Sequence, residues 1–405
     1  MLPSTLPNIY DAASPDCKQP ADSTEPNPAL MIRRFTVALA MFGLIVLIGG
    51  PSASGATPDG AVFYVVTEGK LYAYQVGTWA QVSQVTLPFT GSVRGTDFDV
   101  ARHSLYVTYG GHGQMVNGSI LPGGMLRYDL VTGQTLFNVK YSHGVDQPAV
   151  CGDVVYIPTG SAAKNRIWHE TSADTGQELS ATLSGGYAPH NTICHNGHVY
   201  MGGEEDPGVN TASPYFHATG FAQAAMGPGP THGVRPFTVN ANDTRAWVTW
   251  SNYRGFSVLD TQNGMNVSNT SFGPVPTGTK VDAWSHGISL SPDGSEVYVL
   301  DRASQSVRVY TSADTPALLA TVKLAHPMKG KELECSNGCQ VEGWVLHSFD
   351  GRYVWVGDSG DIIDTQSRAV TGYLSELRNS KHGMLEVDWA NGVPVATTTH
   401  FGVGH

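Results

Sequence analysis

An all-β fold is what this sequence predicts, on three observations: a turn-rich and charge-poor composition, a strand motif that returns along the chain, and a strand left over at the C-terminus. Of 405 residues, 41% are hydrophobic and only 14% charged, while Gly (47) and Pro (24) are abundant. That balance can bury a large core, and it favours many short strands and tight turns over long amphipathic helices. It excludes disordered and collagen-like architectures.

The motif is a short aliphatic and aromatic run: Phe63–Val66, Leu105–Thr108, Val155–Pro158, Val199–Gly202, Ala246–Thr249, Val297–Leu300 and Val354–Gly357. Its copies recur at intervals of roughly 40 to 57 residues, the spacing of a radial repeat. The clearest unit runs from Gly287 to Leu324, with strands at Ile288–Leu290, Glu296–Leu300, Ser306–Tyr310 and Leu318–Leu324 separated by turns such as Ser291-Pro292-Asp293-Gly294. Four short strands per unit and seven copies predict a seven-bladed β-propeller over residues 57–405. The chain starts inside a blade, with Phe63 in a second strand, and His382–Trp389 supplies the missing first strand. Closure by this C-terminal strand removes the sheet edges that an open array would expose.

Residues 1–56 are expected to be an N-terminal extension and signal peptide. Met31-Ile32-Arg33-Arg34 is a basic start, Phe35–Gly50 an apolar run, and Ser54-Gly55-Ala56 a small-residue cleavage region. The body is therefore expected in the periplasm or outside the cell, touching a membrane only through this segment if it stays uncleaved as an anchor. Cys335 and Cys339 enclose three residues, a spacing that suits a small-loop disulfide in an oxidising compartment or a metal ligand pair. Cys151 and Cys194 occupy matching places in successive repeats, and whether they bridge neighbouring blades stays open. A net charge of −11 argues against a nucleic-acid partner, which needs clustered Lys and Arg. Nucleotide-binding loops and the Gly-x-Ser-x-Gly elbow are missing from any strand context that would support them.

The chemistry lies in the histidines. His-Gly occurs at His143, His232, His286 and His382, each shortly before a blade's first strand, and His190-Asn191 holds the comparable place. Arg94-Gly95 and Glu342-Gly343 occupy it in the remaining blades. First strands line the axial channel, so these residues converge at one mouth, where ligands from different blades meet without local sequence spacing. The expected metal ligands are His143, His190, His232, His286, His382 and Glu342, with Arg94, Glu342 and His112 as catalytic or substrate-holding groups. The register of His190 and His232 to the following strand is the loosest. The bland alternative is that each histidine hydrogen-bonds a carbonyl and ties blades together. Repeat packing alone would favour Asp, Ser or Thr at such places, and five histidines there point instead to a metal. His400 and His405 belong to a flexible tail, and His103, His195, His198 and His347 fit turns or strand faces. An imidazole-rich, thiolate-poor set suits copper, with zinc or iron behind it, and more than one ion is compatible with five histidines.

Ser291-Pro292-Asp293-Gly294 and Val297–Asp301 resemble the surface-layer (YVTN-like) propeller repeat, a resemblance that implies fold and not chemistry. The set His143, His190, His232, His286, Glu342 and His382 resembles, in arrangement rather than in continuous motif, the copper propellers of thiocyanate dehydrogenase and nitrous oxide reductase. That resemblance implies an exported copper-dependent oxidoreductase acting on a small inorganic or sulfur-containing anion. With no cupredoxin domain after Trp389, it also implies a separate electron carrier. Two other readings stay open. One is a metal-dependent polysaccharide lyase using Arg94, Arg235 and Lys280 with Trp250, Tyr253 and Trp284 as stacking surfaces; the other is a non-catalytic metal-binding scaffold. Visible absorbance with copper, ultraviolet-absorbing unsaturated sugar products, and an inert colourless protein distinguish the three.

Overall fold

The computed structural model describes residues 59–163, 165–183, 187–204, 215–218, 233–263, 265–278, 283–333 and 340–398. The expected leader, His232, Lys280, Cys335, Cys339, His400 and His405 lie outside the described residues. The chain divides into Met1–Ala53 and Ser54–His405, and everything described belongs to the second unit. No helix among the described residues is long and apolar enough to cross a membrane.

The body is an all-β propeller with one 3-10 turn at Ser375–Leu377. Four consecutive antiparallel strands make the typical blade, as in Val93–Asp99, Ser104–Gly110, Gly123–Asp129 and Gln134–Tyr141. The same order recurs in blades whose first strands are Ala149–Cys151, Val234–Val239, Ile288–Leu290 and Trp344–His347. A five-stranded blade closes the ring: Gly60–Thr67 pairs with Met384–Ala390, Val62 opposite Val387, and Val393–Thr398 adds beyond Met384–Ala390. Closure by the C-terminal strand is therefore as expected. The blade count needs correcting: among the described residues six blades are complete, not the seven expected. The segment expected to form another gives, among the described residues, the three-stranded sheet Tyr187–His195, His198–Glu204 and Tyr215–Ala218.

Burial follows position in the blade. Second strands such as Ser104–Gly110 and Glu296–Asp301 are buried on both faces because neighbouring sheets cover both. Outer strands such as Gln81–Thr86 and Asn266–Ser271 face water on one or both sides and carry polar residues. The hydrophobic clusters lie between adjacent sheets. Leu105, Val107 and Leu126 pack on Val62, Tyr64 and Val387, and Trp247, Phe256 and Val258 on Ile288, Leu290 and Val299. At the closure Phe63 stacks on Trp355, with ring centroids 4.0 Å apart and 7° between planes. Cys151 and Cys194 do form a disulfide, joining the first strand of the Ala149 blade to the first strand of the three-stranded sheet. Between the second and third strands of the Val93 blade, the hairpin Met115–Val116 and Ser119–Ile120 carries the loop that contains His112.

Candidate axial metal and anion site

Each sheet delivers a side chain to one channel mouth from the start of its first strand, and the side chains enclose a cavity of about 290 Å³. In chain order these are Arg94, Asp146, His190, Arg235, His286, Glu342 and His382, joined by His112, Glu332, Gln340 and Lys381. Three of the first strands reach the cavity through a break in register: between Val93 and Gly95, between Pro189 and Asn191, and between Val234 and Phe237. Arg94, His190 and Arg235 sit in those bulges. A bulge re-aims a side chain that regular pleating would point into the interface between sheets.

Arg94, His112, His190, His286, Glu342 and His382 are thus brought together as expected. His143 is not. It is not among the cavity's lining residues, its ring stacks on His169, and the cavity position of its blade belongs to Asp146, three residues on. His232 lies outside the described residues, and Arg235, again three residues on, lines the cavity from that blade. Packing requires glycine at Gly144, Gly287 and Gly383, which follow His143, His286 and His382. A Cβ on Gly383 would stand 2.1 Å from the Val66 carbonyl oxygen, and one on Gly144 1.9 Å from the Gly113 nitrogen.

The centre of the site is a pair of imidazoles. His190 Nε2 and His286 Nε2 face each other at 3.5 Å. His190 Nδ1 is 2.9 Å from Asp146 Oδ2, and His286 Nδ1 is 3.1 Å from the Gly343 carbonyl oxygen. Each Nδ1 donates to its acceptor, so in the neutral rings the lone pairs are on the two Nε2 atoms. Two lone pairs aimed at one another repel unless a cation stands between them. Imidazole nitrogens bound to one ion at about 2.0–2.1 Å stand roughly 3.3–3.6 Å apart at ordinary ligand angles, so the spacing fits a shared transition-metal ion. Glu342 adds a carboxylate on the Nε2 side, with Oε2 3.7 Å from His286 Nε2.

Around this pair the cavity alternates fixed charges. Lys381 Nζ is 3.0 Å from Glu342 Oε2 and also contacts Glu332. Burial would raise the Glu342 carboxyl, but Lys381, His286 and Arg235 outweigh it and hold the group far below its usual range. Burial works against the Lys381 cation too, and Glu332, Glu342 and Asp358 more than restore it. Asp358 accepts the backbone N–H groups of Glu342 and Gly343 at 2.9 Å each and so orients the turn whose Gly343 carbonyl holds His286. Burial, opposed by Lys381, pushes its carboxyl up to about 7. Arg94 is buried, donates to the Gly110 carbonyl at 3.2 Å, and is desolvated in the field of Asp146 and Glu332. Burial lowers His286 well below the ordinary imidazole value and, with Arg94, lowers His112 to about 3. Both stay neutral, the state a ligand or a proton acceptor needs. His112 Nδ1 is buried and has no hydrogen-bond partner among the described residues.

Asp146, Glu332 and Lys381 escaped the sequence reading, and Arg235 entered it only as a sugar-binding candidate. The cue for Lys381 was adjacency to His382, and for Asp146 its place between His143-Gly144 and a first strand. The aromatic surfaces expected for a polysaccharide site are elsewhere. Trp250 and Trp284 are buried, the former donating to Ser257 Oγ at 2.8 Å, and Tyr253 packs against the core. Among the described residues no Trp, Tyr or Phe lines the cavity.

No family model matches the sequence, and no curated protein does. Solved structures do resemble the fold. A functionally unknown protein from Desulfotomaculum acetoxidans DSM 771 superposes with a TM-score of 0.58 at 13% identity, over 80% of this chain and 98% of that one. The periplasmic gluconolactonase of Pseudomonas aeruginosa gives 0.53 at 14% identity, over 84% and 98%. The dihydro-heme d1 dehydrogenase NirN gives 0.51 at 12%, over 84% and 73%. At these identities the likeness speaks for the propeller fold alone.

Proposed function

We propose that this chain is an exported propeller enzyme, a copper-dependent oxidoreductase that binds its metal at the axial His190–His286 pair and a small inorganic or sulfur-containing anion beside it. The observation that carries the reading is the 3.5 Å approach of two Nε2 lone pairs, each imidazole braced from behind by Asp146 or by the Gly343 carbonyl. Glu342, His382 and His112 are the further donors within the same cavity. A bound copper ion supplies one-electron redox capacity and Lewis acidity. The chain supplies the rest. Arg94, Arg235 and Lys381 make the cavity receptive to an anion, and Arg94 offers a planar donor set suited to one. His112, neutral with a buried unpartnered nitrogen, is placed to hold a substrate proton, and Glu342 stays an ionised acceptor. The three-stranded sheet counts as the remaining blade in this reading, because its first strand delivers His190 to the ring. A separate electron carrier is the partner required, and the periplasm or the cell exterior the location.

The test is elemental analysis of the full chain matured in the periplasm with copper, alongside His190→Ala and His286→Ala. The expected result is tightly held copper in the parent and its loss in both variants with circular dichroism unchanged. Copper retained by both variants sinks the axial assignment, and zinc or iron in place of copper sinks the choice of metal. A folded parent that takes up no metal leaves the histidines as blade ties.

A further inference from the structure

His143, expected at the axis, takes part in a different constellation on the flank of the same blades. Its ring lies face to face with His169, centroids 3.4 Å apart and planes 5° apart, with Tyr141 at 5.2 Å on a nearly parallel plane. His169 comes from the third strand of the Ala149 blade, Ile167–Ser172, and Glu178 from the fourth, Glu178–Leu183. His169 Nδ1 is 2.6 Å from Glu178 Oε1, and His143 Nε2 is 3.7 Å from Glu178 Oε2. Among the described residues this is where three His, Cys or carboxylate donor atoms lie within 4.8 Å of one another.

The hydrogen bonding shows what is missing. His143 Nδ1 stands 2.9 Å from the Gly144 carbonyl oxygen, so the hydrogen belongs on Nδ1 and Nε2 carries the lone pair. Among the described residues that buried Nε2 has no hydrogen-bond partner, and the group facing it is a carboxylate oxygen, a second acceptor. Two acceptors turned toward each other in a partly buried place need a cation between them. A proton would satisfy one pair of atoms, whereas a metal ion satisfies both imidazoles and the carboxylate together.

We propose that His143, His169 and Glu178 form a second metal site, separate from the axial cavity, that takes a borderline divalent ion of the zinc class. Two imidazoles and one carboxylate are a common donor set for such an ion, with the remaining positions left to water. Access is from the Glu178 side, whose side chain is 42% exposed, whereas His143 and His169 are 16% and 9% exposed. On binding, the ion takes the place of the hydrogen between His169 Nδ1 and Glu178 Oε1, that hydrogen passes to His169 Nε2 as the neutral ring changes tautomer, and one imidazole turns out of the stack so that both lone pairs meet. Burial beside His143 already lowers the His169 value, which keeps that ring neutral. The site does not depend on the axial reading, because it uses none of the axial side chains.

The probe is zinc alone, titrated against a chromophoric chelator, with the full chain carrying His190→Ala and His286→Ala so that the axial pair is disabled. One zinc per chain is expected to remain. Adding His169→Ala is expected to abolish it, and adding Glu178→Gln, an isosteric change at a half-exposed position that spares folding, to weaken it at least tenfold. The proposal is overturned if the axial double variant binds no zinc, if the retained zinc survives Glu178→Gln unchanged, or if His143 titrates as an imidazolium that zinc does not displace.

Discussion

Replacing Asp146 by Asn is the most informative single change at the axis, because it keeps the shape of the brace behind His190 and removes its charge. In the native protein the buried carboxylate accepts His190 Nδ1–H at 2.9 Å and the backbone N–H groups of Gln147 and Ser161 at 3.2 and 3.3 Å. A hydrogen bond to a charged group contributes about 1.5–3 kcal/mol, and a neutral one about 0.5–1.5 kcal/mol. The substitution therefore costs His190 about 1–1.5 kcal/mol of orientation and basicity, which is roughly a 5- to 13-fold loss of metal affinity. Loss of the brace altogether, as in Asp146→Ala, belongs at the upper end of the 10- to 100-fold range typical of groups behind a metal ligand. The assay is copper affinity by chelator competition, with the copper paramagnetic spectrum recorded on the loaded protein. A purely structural Asp146 would lower the melting temperature and leave affinity and spectrum alone. Unchanged affinity for Asp146→Asn, where His190→Ala loses the metal, would refute the reasoning.

Three further outcomes follow from the packing. The Cys151–Cys194 disulfide closes a loop with a sequence separation of 43, so replacing both by Ser should lower unfolding free energy by about 2–4 kcal/mol in chemical denaturation. His347 is fully buried, donates or accepts at Ser289 Oγ at 2.8 Å, and is pushed down by burial from 6.5 to about 3. The unfolded chain therefore takes up the proton first. Above pH 6.5 the group is neutral in both states, and as pH falls toward 3 stability declines by about 1.4 kcal/mol per unit from this residue. His347→Gln should flatten the pH dependence of the urea midpoint between pH 6 and pH 4 by about one proton; an unchanged slope counts against it. Gly383→Ala sets a Cβ against the Val66 carbonyl at 2.1 Å, where Val66 N also donates to Gly383 O at 2.7 Å. We expect a loss of about 1–3 kcal/mol in thermal unfolding, since only backbone movement relieves the clash.

Much of the architecture was legible because the repeat unit is also the folding unit. Phe63, Leu105, Val155, Ala246, Val297 and Val354 all lie in second strands buried between neighbouring sheets, and that two-sided burial is what produces a recurrent aliphatic and aromatic run. Closure was legible for the same reason: His382–Trp389 reads as a first strand with no partners of its own. The site was legible blade by blade wherever the cavity-lining residue sits just before its strand, as at His286, Glu342 and His382. It failed where the side chain that lines the cavity stands three residues after the histidine of the His-Gly pair, at Asp146 and Arg235. Asp146 precedes a first strand of only three residues, Ala149–Cys151, and Arg235 sits in the break between Val234 and Phe237. Periodicity carries no information about such shifts. Lys381 was hidden for another reason: its burial depends on Glu332 and Glu342, which come from other parts of the chain.

The most direct test of the central claim is diffraction from crystals of the copper-loaded protein, with anomalous differences recorded on either side of the copper edge. The account predicts a copper peak between His190 Nε2 and His286 Nε2, within bonding distance of both. A protein that carries copper with no anomalous density at that pair, or in which the two imidazoles are bridged only by water, would contradict it.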